Sequence, residues 1–324
     1  MRTQGMLLGV TVFAGLLLST SVRAQDARSD QATVGSSSGT QVGVGTSSEG
    51  APPETEQEEP AKELSDVAQV ALAQDQSSTA ATSTPAPAKT ATPATSKEDK
   101  SGTNPLNFQK EFRLFNEAQF LQGRGYQNIS TLQYVHPFSS NFSVRVRLPF
   151  VGNDATGENQ YGFGDFNVRA NWVPYMKGKV GVMLGSEFSF NTASNSVLGT
   201  GKNTIAPVGV LAFFLNDGLI FAPAYQQTVS YGGDSARRDV NIGAIDLYLV
   251  KLTKSKRNWF ILDPTILADY ANNRTSGTLE FEAGQIVGRM MGGIGSIYIR
   301  PGVGLGTDRI YNWNLEVGFK LIGF

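Results

Sequence analysis

The 324-residue chain has no cysteine and a single histidine, His136. Beyond its first two dozen residues, it has no apolar run long enough to cross a membrane as a helix. Without cysteine there is no disulfide staple and no thiolate chemistry. One histidine excludes a metal site built from several. Charge is scarce as well: 17% of residues are charged and the formal net charge is −1. The basic surface that nucleic-acid binding requires is therefore missing. Residues 25–107 contain no Phe, Tyr or Trp. A stretch so poor in large apolar groups cannot offset the entropy of ordering it.

What is present divides the chain in three. Residues 1–24 read as a cleavable export signal: Arg2 supplies the positive start, Met6 to Leu18 an apolar core, and Val22-Arg23-Ala24 a small-x-small cleavage site. That core is about 13 residues, too short to span as a helix, which needs roughly 20. Residues 25–107 are rich in Ser, Thr, Ala, Gly, Gln and Pro, with an acidic cluster at Glu54, Glu56, Glu58 and Glu59. They are expected to form a disordered periplasmic arm, with one short helical island at Leu64, Val67, Val70 and Leu72. From Phe108 onward the composition changes, and every aromatic residue except Phe13 lies there.

Residues 108–324 alternate apolar and polar side chains. Phe142, Val144, Val146, Leu148 and Phe150 oppose Ser143, Arg145, Arg147 and Pro149. Phe166, Val168, Ala170 and Trp172 oppose Asp165, Asn167, Arg169 and Asn171; Trp313, Leu315, Val317, Phe319 and Leu321 oppose Asn314, Glu316 and Lys320. Period two over segments of about 10 residues is the signature of strands in an outer-membrane barrel. Short connections near 139–141, 176–179, 216–218, 254–257 and 292–295 alternate with longer ones at 152–161, 192–203, 231–238, 271–277 and 306–311. We therefore expect an all-β fold, a closed antiparallel transmembrane barrel of about 12 strands. Poor alternation around Leu114, Leu132 and Val208 leaves 10 open. A soluble β-sandwich also alternates, with apolar faces meeting each other. The export signal, the strand length and the terminal Phe324, an aromatic of the kind the barrel-assembly machinery reads, favour the outer membrane.

Thr103-Asn104-Pro105-Leu106, Leu132 to Phe138 (LQYVHPF), Arg145 to Phe150 (RVRLPF), Gly162 to Phe166 (GFGDF) and Leu198 to Lys202 (LGTGK) together resemble the MetA-pathway phenol-degradation or "transporter" family of outer-membrane barrels. The resemblance covers roughly residues 103–324, and Asn203 stands where the family often has Trp. It implies a passive channel or uptake route for small, hydrophobic or aromatic molecules, distantly similar to fatty-acid and aromatic-hydrocarbon channels.

The candidate functional residues are the charges on the inward face: Arg145, Arg147, Asp165, Arg169, Glu187, Asp263, Asp269, Glu280, Glu282, Arg300 and Glu316. An Arg or Lys facing hydrocarbon at mid-depth would cost about 2–4 kcal/mol, so they must point into the lumen. There they either pair across it or line an aqueous path. No catalytic, cofactor or metal residues are expected. His136 falls at the periplasmic end of its strand, away from the outer leaflet where a phospholipase-type Ser-His pair would act. Glycines at 162–164 and 199–201 lack the spacing and the helix of a phosphate loop. Lys202, Arg237, Arg238 and Arg274 are expected in outer loops, solvated or in contact with lipopolysaccharide phosphates. The alternative to a channel is a non-conducting barrel whose N-terminal arm tethers a periplasmic partner.

Overall fold

The computed structural model describes residues 99–324, except Arg124 and Ala155. The export signal, the acidic cluster and the helical island lie outside the described residues. Those described contain no helix and thirteen strands: β1 (Glu111–Leu121), β2 (Tyr126–Ser139), β3 (Phe142–Asn153), β4 (Gln160–Phe163), β5 (Phe166–Lys177), β6 (Val180–Phe190), β7 (Lys202–Asn216), β8 (Leu219–Gly233), β9 (Asn241–Leu252), β10 (Asn258–Asp269), β11 (Arg274–Met290), β12 (Gly293–Leu305) and β13 (Tyr311–Ile322). Each pairs antiparallel with its neighbour. β1 meets β13 from Glu111↔Ile322 to Leu121↔Tyr311, which closes the sheet on itself. Both β4 and β5 pair with β3, at its outer and inner halves, so they are one strand broken at Gly164-Asp165. The result is a closed 12-stranded barrel.

Connections at 140–141, 178–179, 217–218, 253–257 and 291–292 close one end, here the inner one. Those at 122–125, 154–165, 191–201, 234–240, 270–273 and 306–310 form the outer end. Several boundaries differ from the sequence reading: the expected connections 192–203 and 231–238 become 191–201 and 234–240. A tight turn at 122–125 separates β1 from β2, and the connection expected at 271–277 shrinks to 270–273, so Arg274 belongs to β11. Asp269 makes the short turn feasible by accepting the Ala271 and Asn272 N–H groups at 3.0 and 3.1 Å.

The exterior carries an apolar band between two aromatic girdles. At the outer rim Phe120 stacks on Trp313 at 3.8 Å, Phe150 meets Phe163 edge-on at 5.9 Å, and Phe166 stacks on Phe190 at 6.3 Å. The inner rim has the pairs Phe213–Phe221 and Phe260–Phe281 at 6.3 and 6.1 Å. Between them Leu148, Leu184, Leu211, Ile245, Leu262, Ile297 and Ile299 are exposed, which only a lipid environment tolerates over such an area. Phe324 follows Gly323, whose φ of +69° takes it out of the β13 alternation; its ring packs under the Lys110 ammonium at 4.5 Å.

The poorly alternating segments have two different causes. Along β7, Val208, Val210 and Ala212 are buried inside while Leu211 and Phe213 face out, so both faces are apolar and the period vanishes. Along β1 and β2 the polarity inverts locally: Phe115 and Ile129 point in, and Asn116, Asn128 and Ser130 point out. The outward amides satisfy one another. Asn116 Nδ2 donates to Asn128 Oδ1 at 2.8 Å and to Ser130 Oγ at 2.9 Å, and Asn128 Nδ2 returns a bond to Asn116 Oδ1 at 3.2 Å. A double-mutant cycle with Asn116→Leu and Asn128→Leu, read by urea unfolding in lipid vesicles, should give a coupling of about 0.6 kcal/mol, typical of polar pairs in membranes. Strict additivity would mean that the pair is not formed.

Candidate functional site: the lumen

Period two sets β3, β5 and β6 so that Arg145, Arg147, Arg169 and Glu187 all point inward. Register then places Arg145 directly opposite Arg169, a like-charge pair that would repel. The repulsion is relieved by Glu187, the cross-strand partner of Arg169, whose carboxylate bonds the Arg145 guanidinium and lies 2.9 Å from Arg169 Nε. All three are almost fully buried. Arg169 also reaches across to Gln226 Oε1 of β8 at 2.6 Å, and Arg147 Nε donates to Gln133 Oε1 at 2.7 Å.

The opposite wall repeats the device with signs reversed. Asp263 faces Glu280 across β10 and β11, and Arg300 of β12 bridges them, bonded to Asp263 and 2.6 Å from Glu280 Oε2. At the seam Glu117 faces Glu316. Here Asn314 Nδ2 donates to Glu117 at 2.7 Å, Tyr298 donates its hydroxyl to Glu316, and Arg300 is the cross-strand partner of Glu316. Tyr311 donates to Glu280 at 2.8 Å. Glu282 accepts from Trp259 Nε1 at 2.6 Å and from Lys320 Nζ at 3.4 Å, and the Lys320 ammonium lies over the Trp259 and Tyr298 rings.

Between the walls lies a cavity of about 120 Å³, lined by Arg113, Arg147 and Arg300 on one hand and Glu117, Asp263, Glu280, Glu282 and Glu316 on the other. Nine of the eleven residues singled out in the sequence thus converge on the central lumen. The remaining two sit at the outer rim and hold loops. Asp165 accepts the N–H groups of Thr192 and Ala193 at 3.1 Å and of Thr200 at 2.7 Å; Asp269 caps its turn as described above. Arg113 and Glu117, missed by the sequence reading, are recoverable only once β1 is known to place Phe115 inward between them.

The lumen is not uniformly polar. In its inner half Val173, Met183, Val208, Val210, Ala212, Ile220, Ala222, Val250, Leu252, Trp259 and Ile261 form one apolar cluster. Into it packs Leu106, 3% exposed, from the segment before β1. Residues 99–107, read in the sequence as the end of the low-complexity arm, fold inside the inner mouth, with Asp99, Ser101, Thr103 and Asn104 all buried. A second cavity of about 150 Å³ separates this segment from Arg113, Arg145, Asn171, Asp246 and Lys320.

The outer mouth is narrowed by the 191–201 loop. Leu198 is fully buried against Ile129 and Val151, and Asn153 Nδ2 donates to the Val197 carbonyl at 2.6 Å. Lys202, expected in a solvated loop, begins β7 and is buried, 2.9 Å from Asp239 Oδ1. Its ammonium holds the Asp239 carboxyl below the usual carboxylate range. Arg237 donates to the Ser196 and Gly199 carbonyls, and Arg238 to Asn272, so these cations tie loops together. His136 lies on the exterior of the inner rim, its ring 4.6 Å from that of Phe138 and its Nδ1 3.4 Å from the Tyr134 hydroxyl.

No known family matches the chain, and no curated protein does. Among solved structures, an outer-membrane channel from Pseudomonas putida F1 is similar at 12% identity and TM-score 0.55, over 69% of this chain and 99% of that one. A KdgM porin and a NanC porin align over 65% of this chain at 14% and 13% identity, each with TM-score 0.45. The channel from Pseudomonas putida F1 shares the barrel fold. For the lumen itself, Glu187→Gln should remove the carboxylate that bridges the facing Arg145 and Arg169 and cost about 3 kcal/mol, the usual penalty for breaking a buried ion pair. The unfolding midpoint in urea reads this, and an unchanged midpoint would show that lumen water screens the pair.

Proposed function

We propose that the chain is a passive channel in the outer membrane of a diderm bacterium, conducting small molecules through its lumen without a catalytic step or cofactor. The observation that carries this reading is the two-zone interior: a central cavity ringed by both signs of charge, and an apolar cluster in the inner half. A path of that kind suits amphipathic or aromatic solutes, with the polar end handled by Arg147, Arg300 and the facing carboxylates and the apolar part by Trp259, Ile261 and Val210. The resemblance to the phenol-degradation barrels supports the same class. In this reading the Arg and acidic residues both brace the walls and line the path, the girdled exterior meets lipid and lipopolysaccharide, and Phe324 serves the assembly machinery. Residues 25–98 extend into the periplasm.

Reconstituted in planar bilayers, the protein should give discrete conductance steps. Because acidic residues outnumber arginines around the central cavity, the steps should favour cations. Glu117→Gln combined with Glu316→Gln should lower the cation-to-anion permeability ratio severalfold, read from the reversal potential in a salt gradient. An unchanged ratio would place the conducting path elsewhere. Filling of both mouths, by Leu106 and by Leu198, is what favours the second reading, a closed barrel that docks a partner through residues 25–98. Deleting that stretch would then release a co-purifying protein and leave permeability unchanged.

A further inference from the structure

Halfway along β1 the lipid-facing surface turns polar. Asn116 is the central residue of Glu111–Leu121 and points outward. Its register partner on β2 is Ser130, and one outward step higher Ala118 stands opposite Asn128. These four side chains make a compact block on the barrel exterior. Leu114, Leu132 and Leu148, all exposed, lie on its inner side, and Val317 of β13 lies beside Asn116. The next outward residue of β1 above the block is Phe120, which stacks on Trp313 in the outer girdle. At the level of Asn116 the surrounding lipid therefore offers acyl chains, which neither donate nor accept a hydrogen bond.

The bonds within the block leave capacity unused, and what is left divides by strand. Asn116 Nδ2 uses both its hydrogens, on Asn128 Oδ1 at 2.8 Å and on Ser130 Oγ at 2.9 Å. Asn128 Nδ2 uses one, on Asn116 Oδ1 at 3.2 Å. Among the described residues, the second Asn128 amide hydrogen and the Ser130 hydroxyl hydrogen have no acceptor, and both belong to β2. Asn116, on β1, keeps only acceptor capacity, the second lone pair of its Oδ1. A donor left facing hydrocarbon is costly, and no lipid group at this depth can take it. A second copy of the chain can. Half a turn about an axis normal to the membrane, passing between β1 and β2, sets β1 of each copy against β2 of the other. Spare donors then meet spare acceptors twice over, and Ala118, the small corner of the block, lets the two walls approach.

We propose that the chain forms a twofold dimer in the membrane plane through the β1–β2 exterior, with Asn116, Asn128 and Ser130 as its polar centre and Leu114, Leu132 and Leu148 as an apolar margin. The partner is a second copy because the face is complementary to its own half-turn image: donors on one strand, the spare acceptor on the next. The interface lies beside the β1–β13 seam, so each copy covers the strand that closes the other's barrel. The dimer is a property of the outer wall and holds whether or not the lumen conducts.

Because the chain has no cysteine, single introduced thiols can report the interface. Ala118→Cys places one in the block, and Ile245→Cys, on the exposed lipid-facing surface of β9, serves as the reference. In lipid vesicles at equal protein-to-lipid ratio, oxidation with copper phenanthroline should join Ala118→Cys chains severalfold faster than Ile245→Cys chains. Adding Asn116→Leu and Ser130→Ala to Ala118→Cys should bring the rate down to the reference. Equal rates at the two positions, or a rate that survives the added substitutions in a chain folded by heat-modifiable gel migration, overturns the dimer. Subunit counting keeps the test independent of how those variants fold. With the block intact and a fluorophore on Ser235→Cys of the exposed 234–240 connection, two-step photobleaching in vesicles should exceed random co-occupancy severalfold. Counts that match random co-occupancy overturn the dimer and leave the channel reading untouched, since neither arm reads conductance.

Discussion

The structure depends on one constraint: in hydrocarbon a backbone N–H or C=O has no water to turn to, so every strand must find two neighbours. The β1–β13 seam meets it, with pairs running the full length of both strands. Closure has a consequence for the side chains. Period two then assigns each residue to lipid or lumen with no intermediate choice, and a protein of modest charge must house nearly all its mid-strand charge inside.

The interior solves the crowding that follows. Three like-charged pairs lie directly across neighbouring strands: Arg145 with Arg169, Asp263 with Glu280, and Glu117 with Glu316. Each is relieved by neighbouring groups: Glu187 and Arg300 on the next strand, and at the seam the donors Asn314 of β13 itself and Tyr298 of β12. Among the described residues the inward face of β3–β6 therefore carries more arginine than carboxylate at mid-strand, and that of β10–β13 more carboxylate than cation. Bracing and lining are then the same residues, which reconciles an ion-pair network with an electrostatically structured path.

Much of this is legible in the sequence wherever one face is apolar and the other polar. β3, β5, β6, β10 and β13 announce themselves because Val146, Val168, Phe188, Leu262 and Val317 alternate with charge. β7 does not, because its inner face packs on an apolar cluster and both faces are greasy. Neither do β1 and β2, where a hydrogen-bonded amide pair takes outward positions and Phe115 and Ile129 take inward ones. Periodicity reports contrast between faces, and these strands lack it. The sequence puts Lys202 and Arg274 in loops because charge usually marks one; Lys202 instead begins β7, where it pairs with the exposed Asp239 of the 234–240 connection, and Arg274 begins β11.

The sequence by itself determined the all-β class, the inward direction of nine mid-strand charges and the apolar exterior, because a two-residue repeat maps one-to-one onto the two faces of a strand. It could not determine which charges meet, since Arg145, Glu187 and Arg300 find their partners through cross-strand register and barrel closure, relations between segments far apart in the chain. Nor could it place residues 99–109. Nothing in Thr103-Asn104-Pro105-Leu106 distinguishes a solvated linker from a segment packed inside the lumen until the barrel exists to offer the apolar notch at Gly181. Contact across the lumen is a property of the closed cylinder, and only the tertiary structure supplies it.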